Sequence, residues 1–159
     1  MKTSVRDVRI LKPMGPWKTK SNGQLFVLSA LSFQELQNFL YYPEEELAKI
    51  ASDIRGLRHY CIQNLPFHSV GGGEFHLIRQ EIIFTLNGKL KWTLEDTAGE
   101  KININCQQND GIWLKPKIIH QYEVLEESSS IMVLANTLFN PEDSRTHDTY
   151  GKEDFRCLQ

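Results

Sequence analysis

The sequence predicts an all-β barrel or sandwich with a short helical insertion near its N-terminus. From residue 57 onward, short runs rich in β-branched and aromatic residues are separated by turn residues at about 8–12 positions. Within them Leu90, Trp92 and Leu94 alternate with Lys89, Lys91 and Thr93, and Ile102 and Ile104 alternate with Asn103 and Asn105, so each of these strands presents one wet face. Upstream, Ser32 stands three residues before Glu35, the spacing at which a hydroxyl caps a helix while the carboxylate reaches back to the capping residue.

In chain order, Lys20-Ser21-Asn22-Gly23 is a turn, and the apolar run 25–28 after it is long enough for a strand. In the helix that Ser32 starts, Phe33, Leu36, Phe39 and Leu40 recur at helical spacing, and Leu31 with Leu36 can form a hydrophobic staple. Pro43 followed by Glu44-Glu45-Glu46 reads as a second helix start, with Leu47, Ile50 and Ala51 on its buried side and Gly56 ending it. The insertion therefore spans 32–54. Strands are expected at 57–64, 74–78, 80–87, 89–95, 101–106, 111–115 with 120–125, and 131–136. Asp96 to Glu100 reads as a hairpin loop, and Asn87-Gly88 carries the signal of a type I′ hairpin turn. The polar tail, 141–159, wraps the surface or frays. No linker or repeat divides the chain, so residues 1–159 are read as one domain.

Composition excludes several classes. Eighteen Lys plus Arg against 20 Asp plus Glu give a net charge of -2, with no basic run to track a phosphate backbone, so nucleic-acid binding has no electrostatic support. No apolar stretch of signal-peptide or membrane-span length occurs, and the expectation is a soluble cytoplasmic protein without a membrane partner. Cys61, Cys106 and Cys157 form an odd set without a CxxC pair, which fits a reducing compartment. Cys61 and Cys106 lie in apolar runs and read as buried packing thiols.

The chemistry concentrates at Glu74, His76, Glu81 and His120, which fall on or beside expected strands. Alternation points Glu74 and His76 to one face and Phe75 and Leu77 to the other. Gly71-Gly72-Gly73 immediately before them allows a sharp backbone turn or a close approach to a ligand. Glu81 suits a supporting role, holding His76 in one tautomer. Arg58 suits bidentate contact with a pyrophosphate. Tyr60 and Trp113 are candidate stacking surfaces, although large aromatics more often fill cores.

Taken together, Gly72, Glu74-x-His76, Glu81 and Gly88, followed by Gly111-x4-Pro116-x3-His120, resemble the two cupin motifs, which line the inside of a double-stranded β-helix, or jelly-roll, barrel. A narrower resemblance covers most of the chain. Arg58-His59-Tyr60-Cys61-Ile62, Pro66, Gly72-Gly73-Glu74-Phe75-His76 and Glu81-Ile82-Ile83-Phe84 through Gly88 are similar to the nucleotide-sugar 3,4-ketoisomerase family (FdtA/QdtA, the WxcM-like cupins). Asp110-Gly111-Ile112-Trp113-Leu114, Pro116 and His120, Val133-Leu134-Ala135-Asn136, and Ser21-Asn22-Gly23-Gln24-Leu25 extend it.

The resemblance implies a metal-independent homodimer that moves a keto group between C3 and C4 of a dTDP-linked 6-deoxy sugar for surface polysaccharide assembly. It also implies a catalytic pair at positions 74 and 76, with Arg58, Tyr60, Glu81, Trp113 and His120 around the substrate. The sequence departs from the family at Gly71, where the family has arginine, and at Glu74, where it has the first histidine of His-x-His. A carboxylate can stand in for an imidazole as a base.

Three functions are therefore expected as alternatives. The first is an isomerase or epimerase of a nucleotide-linked keto sugar, with Glu74 and His76 as acid and base and no cofactor. In the second, Glu74, His76, Glu81 and His120 hold Fe(II), Mn(II) or Ni(II), since imidazole and carboxylate suit such ions. The third is a non-catalytic cupin that binds a nucleotide sugar.

Overall fold

The computed structural model describes residues 3–50 and 54–159. Its strands are β1 (Arg9–Leu11), β2 (Met14–Lys18), β3 (Gln24–Val27), β4 (Arg55–Leu65), β5 (Val70–Glu74), β6 (Glu81–Asn87), β7 (Lys89–Asp96), β8 (Lys101–Gln107), β9 (Gly111–Leu114), β10 (Ile118–Val124) and β11 (Ser129–Thr137). Its α-helices are α1 (Phe33–Phe39), α2 (Glu44–Leu47) and α3 (Lys152–Arg156). One antiparallel sheet runs β1-β9-β6-β11-β4 and a second runs β5-β10-β7-β8, while β2 and β3 pair only with each other.

The alternation read from the sequence puts Leu90, Trp92 and Leu94 of β7 and Ile104 and Cys106 of β8 into the space between the sheets. There they meet Ile83, Ile112, Ile131 and Val133 of the first sheet. Each such side chain contributes about 1.5–3 kcal/mol by leaving water. The first sheet is buried on its other face too, where Ile82, Phe84 and Trp113 pack under Phe39 of α1 with Leu11. Gln80 and Asn136 fasten that layer: Gln80 Nε2 donates to Asn38 O at 2.7 Å and Asn136 Nδ2 to Phe39 O at 2.7 Å. Gln80 Oε1 accepts from Trp113 Nε1 and Lys115 Nζ, both at 2.9 Å.

Ser32 caps α1 in the reciprocal arrangement its spacing predicts. Only Phe39 of the four apolar helix positions is buried; Leu31 packs against the outer core, and Leu36 stays 39% exposed. Pro43 is the cap of α2 rather than its first residue, and α2 lasts one turn. Ala51 lies outside the described residues, and Gly56 belongs to β4, where the side chain of Leu138 lies 2.7 Å from where a Cβ would stand.

Other expectations are corrected. Asn87-Gly88 is not a hairpin turn, because β9 and β11 occupy both edges of β6 and the chain must cross to the other sheet. Only Gly88 of the pair has positive φ, +76°, and a Cβ there would sit 2.1 Å from Ser129 Oγ. The expected strand 74–78 ends at Glu74, since the next backbone N–H groups bond to a side chain instead of a ladder, as described below. Strands β1 and β2 are too short or too irregular to show in the sequence. Cys61 is exposed on β4, the edge of its sheet, whereas Cys106 is buried. The tail docks: Phe75 and Tyr150 exchange backbone hydrogen bonds at 3.0 Å, and Phe155 packs on Phe75 and Ile119. No described helix is long and apolar enough to cross a membrane.

Candidate active site

Strand β5 delivers Glu74 to the barrel interior through an irregular ladder. Opposite it, the register with β10 shifts between His120 and Gln121, and Gly72 takes φ +74°, where a Cβ would lie 2.7 Å from His120 O. Glycine is the residue that tolerates this backbone. Glu74 then pairs with His120 in register, Phe75 turns outward into the tail cluster, and His76 turns inward. The shared face expected for Glu74 and His76 is realised: one ligand atom each from Glu74, His76 and His120 all lie within 4.8 Å of one another.

Glu81, the first residue of β6, sits in the register row Arg58, Ala135, Glu81, Leu114. Its Oε1 is 3.6 Å from His76 Nε2, 3.5 Å from Arg79 Nη1 and accepts from Tyr60 Oη at 3.4 Å, while Oε2 is 3.8 Å from His120 Nε2. His76, His120 and Glu81 are all buried. Burial opposes a charged Glu81, yet the neighbouring His76, His120 and Arg79 together outweigh burial and hold the carboxyl far below its ordinary value of 4.5. His120 moves down from 6.5 because burial and His76 disfavour its charged form more than Glu81 favours it.

Both imidazoles are oriented from behind. His76 Nδ1 lies 2.5 Å from Asp148 O and His120 Nδ1 lies 3.2 Å from Ile118 O. Carbonyl oxygens only accept, so Nδ1 carries the proton in both rings and each Nε2 faces the cluster. His76 Nε2 is buried and has no hydrogen-bond partner.

The other expected site residues divide. Tyr60 contacts Glu81, and burial followed by that carboxylate pushes its phenol above the ordinary value of 10.0. Arg58 lies over the rings of Tyr60 and Phe139, at 5.1 and 5.2 Å, with Nε buried and unbonded. Trp113 is not brought to the cluster. It faces the opposite side of the sheet, in edge contact with Phe39 and under Lys115 Nζ at 3.9 Å, so it serves the outer core and not a stacking role. The substitution at Gly71 also has a local reason, because the Tyr122 ring fills the space of a side chain there, 2.2 Å from a Cβ position.

Sequence reasoning missed Arg79 and Asp148. Arg79 is 4% exposed and held by Glu81 and by Thr137 Oγ1 at 3.1 Å. Its signal was legible: Arg79-Gln80-Glu81 interrupts an apolar run, and a cation in such a run needs a buried partner. Asp148, fully buried, sits in a polar tail far along the chain and gave no signal.

Two antiparallel sheets closed face to face, with imidazoles and carboxylates turned inward from β5, β6, β10 and the loop after β5, define a cupin barrel. The FdtA family model, described as WxcM-like, C-terminal, matches residues 23–154, and the chain belongs to that family. No curated protein sequence matches it. Among solved structures, it is similar to QdtA, a sugar 3,4-ketoisomerase from Thermoanaerobacterium thermosaccharolyticum in complex with TDP, at 18% identity over 95% of this chain and 92% of that one, TM-score 0.62. A 3,4-ketoisomerase from Helicobacter canadensis shares 14% identity over 96% and 97% of the chains, TM-score 0.64. A dTDP-4-dehydrorhamnose 3,5-epimerase from Bacillus anthracis, with TDP and PPi bound, shares 8% over 95% and 83%, TM-score 0.65.

Proposed function

We propose that this protein is an isomerase of a dTDP-linked 4-keto-6-deoxy sugar, moving the carbonyl between C4 and C3. The observation that carries the reading is the inward-facing pair of Glu74 and His76, in a chain of the FdtA family that is similar to ketoisomerases throughout its length. Glu74 removes the proton from C3 while His76, as imidazolium, protonates the C4 oxygen, giving a 3,4-enediol. Removal of the O3 proton and protonation of C4 then complete a shift that is redox-neutral overall. Arg58, at the cluster's rim beside Tyr60, suits the pyrophosphate. Synthesis of surface polysaccharide in the cytoplasm, by a homodimer, is the setting this reading implies.

Proton NMR with dTDP-4-keto-6-deoxyglucose in heavy water tests it. A 3-keto product carrying deuterium at C4 is expected, and Glu74→Gln abolishes turnover while binding persists. Label confined to C3 or C5 identifies an epimerase. Saturable binding without product or exchange, in the wild-type protein, assigns it as a non-catalytic binder and overturns the proposal.

One observation supports a second reading. When neutral, His76 and His120 direct Nε2 lone pairs at the carboxylate oxygens of Glu81, an arrangement relieved either by protons or by a divalent ion held by Glu74, His76 and His120. Metal analysis of protein purified without chelator, with the exchange assay repeated in EDTA, separates the two.

A further inference from the structure

The tail segment 148–150 lies against the loop that follows β5. Phe75 and Tyr150 exchange backbone hydrogen bonds at its end, and Asp148 anchors its start. The Asp148 carboxylate accepts from three consecutive backbone N–H groups: Leu77 at 2.8 Å on Oδ1, and Ile78 at 3.0 Å and Arg79 at 2.8 Å on Oδ2. These are the donors that a continued strand would have satisfied, and no water reaches this residue, which is 0% exposed. With its side chain fixed in this way, the main chain of Asp148 holds its carbonyl oxygen 2.5 Å from His76 Nδ1. The same carboxylate that shapes the 77–79 backbone therefore places the acceptor that selects the His76 tautomer.

We propose that Asp148 is a positioning residue for His76, acting through its own carbonyl to keep a proton on Nδ1, so that Nε2, facing Glu81 and the interior, is the nitrogen that gains and gives up the proton. The proposal rests on His76 as the proton-transfer group, but its structural half stands apart from any reaction. Asparagine at 148 keeps the volume of aspartate but replaces one acceptor oxygen with an NH2 group facing backbone donors, which loosens the segment and its carbonyl. Removing a partner of this kind, which orients a functional histidine, costs on the order of 10–100-fold in activity.

The test is 15N NMR of the imidazole nitrogens in the full chain, at alkaline pH where imidazoles are neutral. In the wild type His76 is expected as the Nδ1–H tautomer; an Nε2–H tautomer overturns the proposal with no variant needed. In Asp148→Asn, a mixed tautomer signal for His76 with an unchanged one for His120 is expected. Turnover by that variant is expected to fall about 10–100-fold in kcat, with KM within about threefold. A folded Asp148→Asn protein with wild-type His76 signals and wild-type kcat also overturns it. If the wild type turns over no keto sugar, the proposed function fails while the tautomer measurement still decides the role of Asp148.

Discussion

Glu81 stands between two histidines, with His76 Nε2 3.6 Å from one carboxylate oxygen and His120 Nε2 3.8 Å from the other. Arg79 and Tyr60 approach the first oxygen from the remaining sides, so a single buried anion organises four polar side chains.

Stability should fall on acidification in two stages. His120 and Glu81 are both depressed in the folded protein, from 6.5 and from 4.5, so the unfolded chain binds each proton more readily. The stabilisation is complete above both ordinary values, is lost first as pH drops through and below 6.5, and is lost further below 4.5. Urea midpoints across a pH series check this, and a midpoint that rises on going from neutral to pH 5 contradicts it.

Glu81→Gln should destabilise the fold by about 3–5 kcal/mol, because it leaves the buried Arg79 guanidinium without an anion. Equilibrium unfolding at neutral pH reads the loss directly. The same variant should flatten the limb of the pH dependence below 4.5, since the titrating group is gone.

Restoring the family arginine by Gly71→Arg should not restore family chemistry. A side chain at 71 meets the Tyr122 ring at 2.2 Å, and overpacking of this kind costs about 1–3 kcal/mol. Because Tyr122 is itself a core residue packed on Trp92, Gly71→Arg combined with Tyr122→Ala should lose less stability than the two single variants added together, and thermal melting of the three variants tests the coupling.

Trp113→Phe should leave turnover and substrate affinity unchanged while lowering stability by about 1–2 kcal/mol. The indole donates to Gln80 and carries Lys115 over its ring, but it faces away from the His–Glu cluster. A large rise in KM in this variant would return Trp113 to the binding surface.

Much of the barrel was legible because its signal is local. Period-two alternation in β7 and β8, the Ser32 cap and the Glu74-x-His76 spacing each lie within a few residues. What was not legible depends on partners distant in sequence. Asn87-Gly88 has the chemistry of a hairpin turn, yet which sheet receives β7 is decided by β9 and β11. The early end of β5 is set by Asp148, 71 residues beyond Leu77. Gly71 read as the loss of an active-site group, whereas Tyr122 from β10 explains why the position is small.

The two faces of the residue pair Gln80-Glu81 bear on how this protein can be redesigned. Glu81 belongs to the chemistry and Gln80, one peptide away, belongs to the outer layer, donating to Asn38 of the helical insertion and accepting from Trp113 and Lys115. Excising 32–47 to obtain a minimal barrel would remove the carbonyls that accept from Gln80 and Asn136, leaving water to take their place on newly bared sheet. A shortened variant thus requires polar replacements for Ile82, Phe84 and Trp113 in the same step, since these apolar side chains, and not the two amides, are what the deletion leaves facing water.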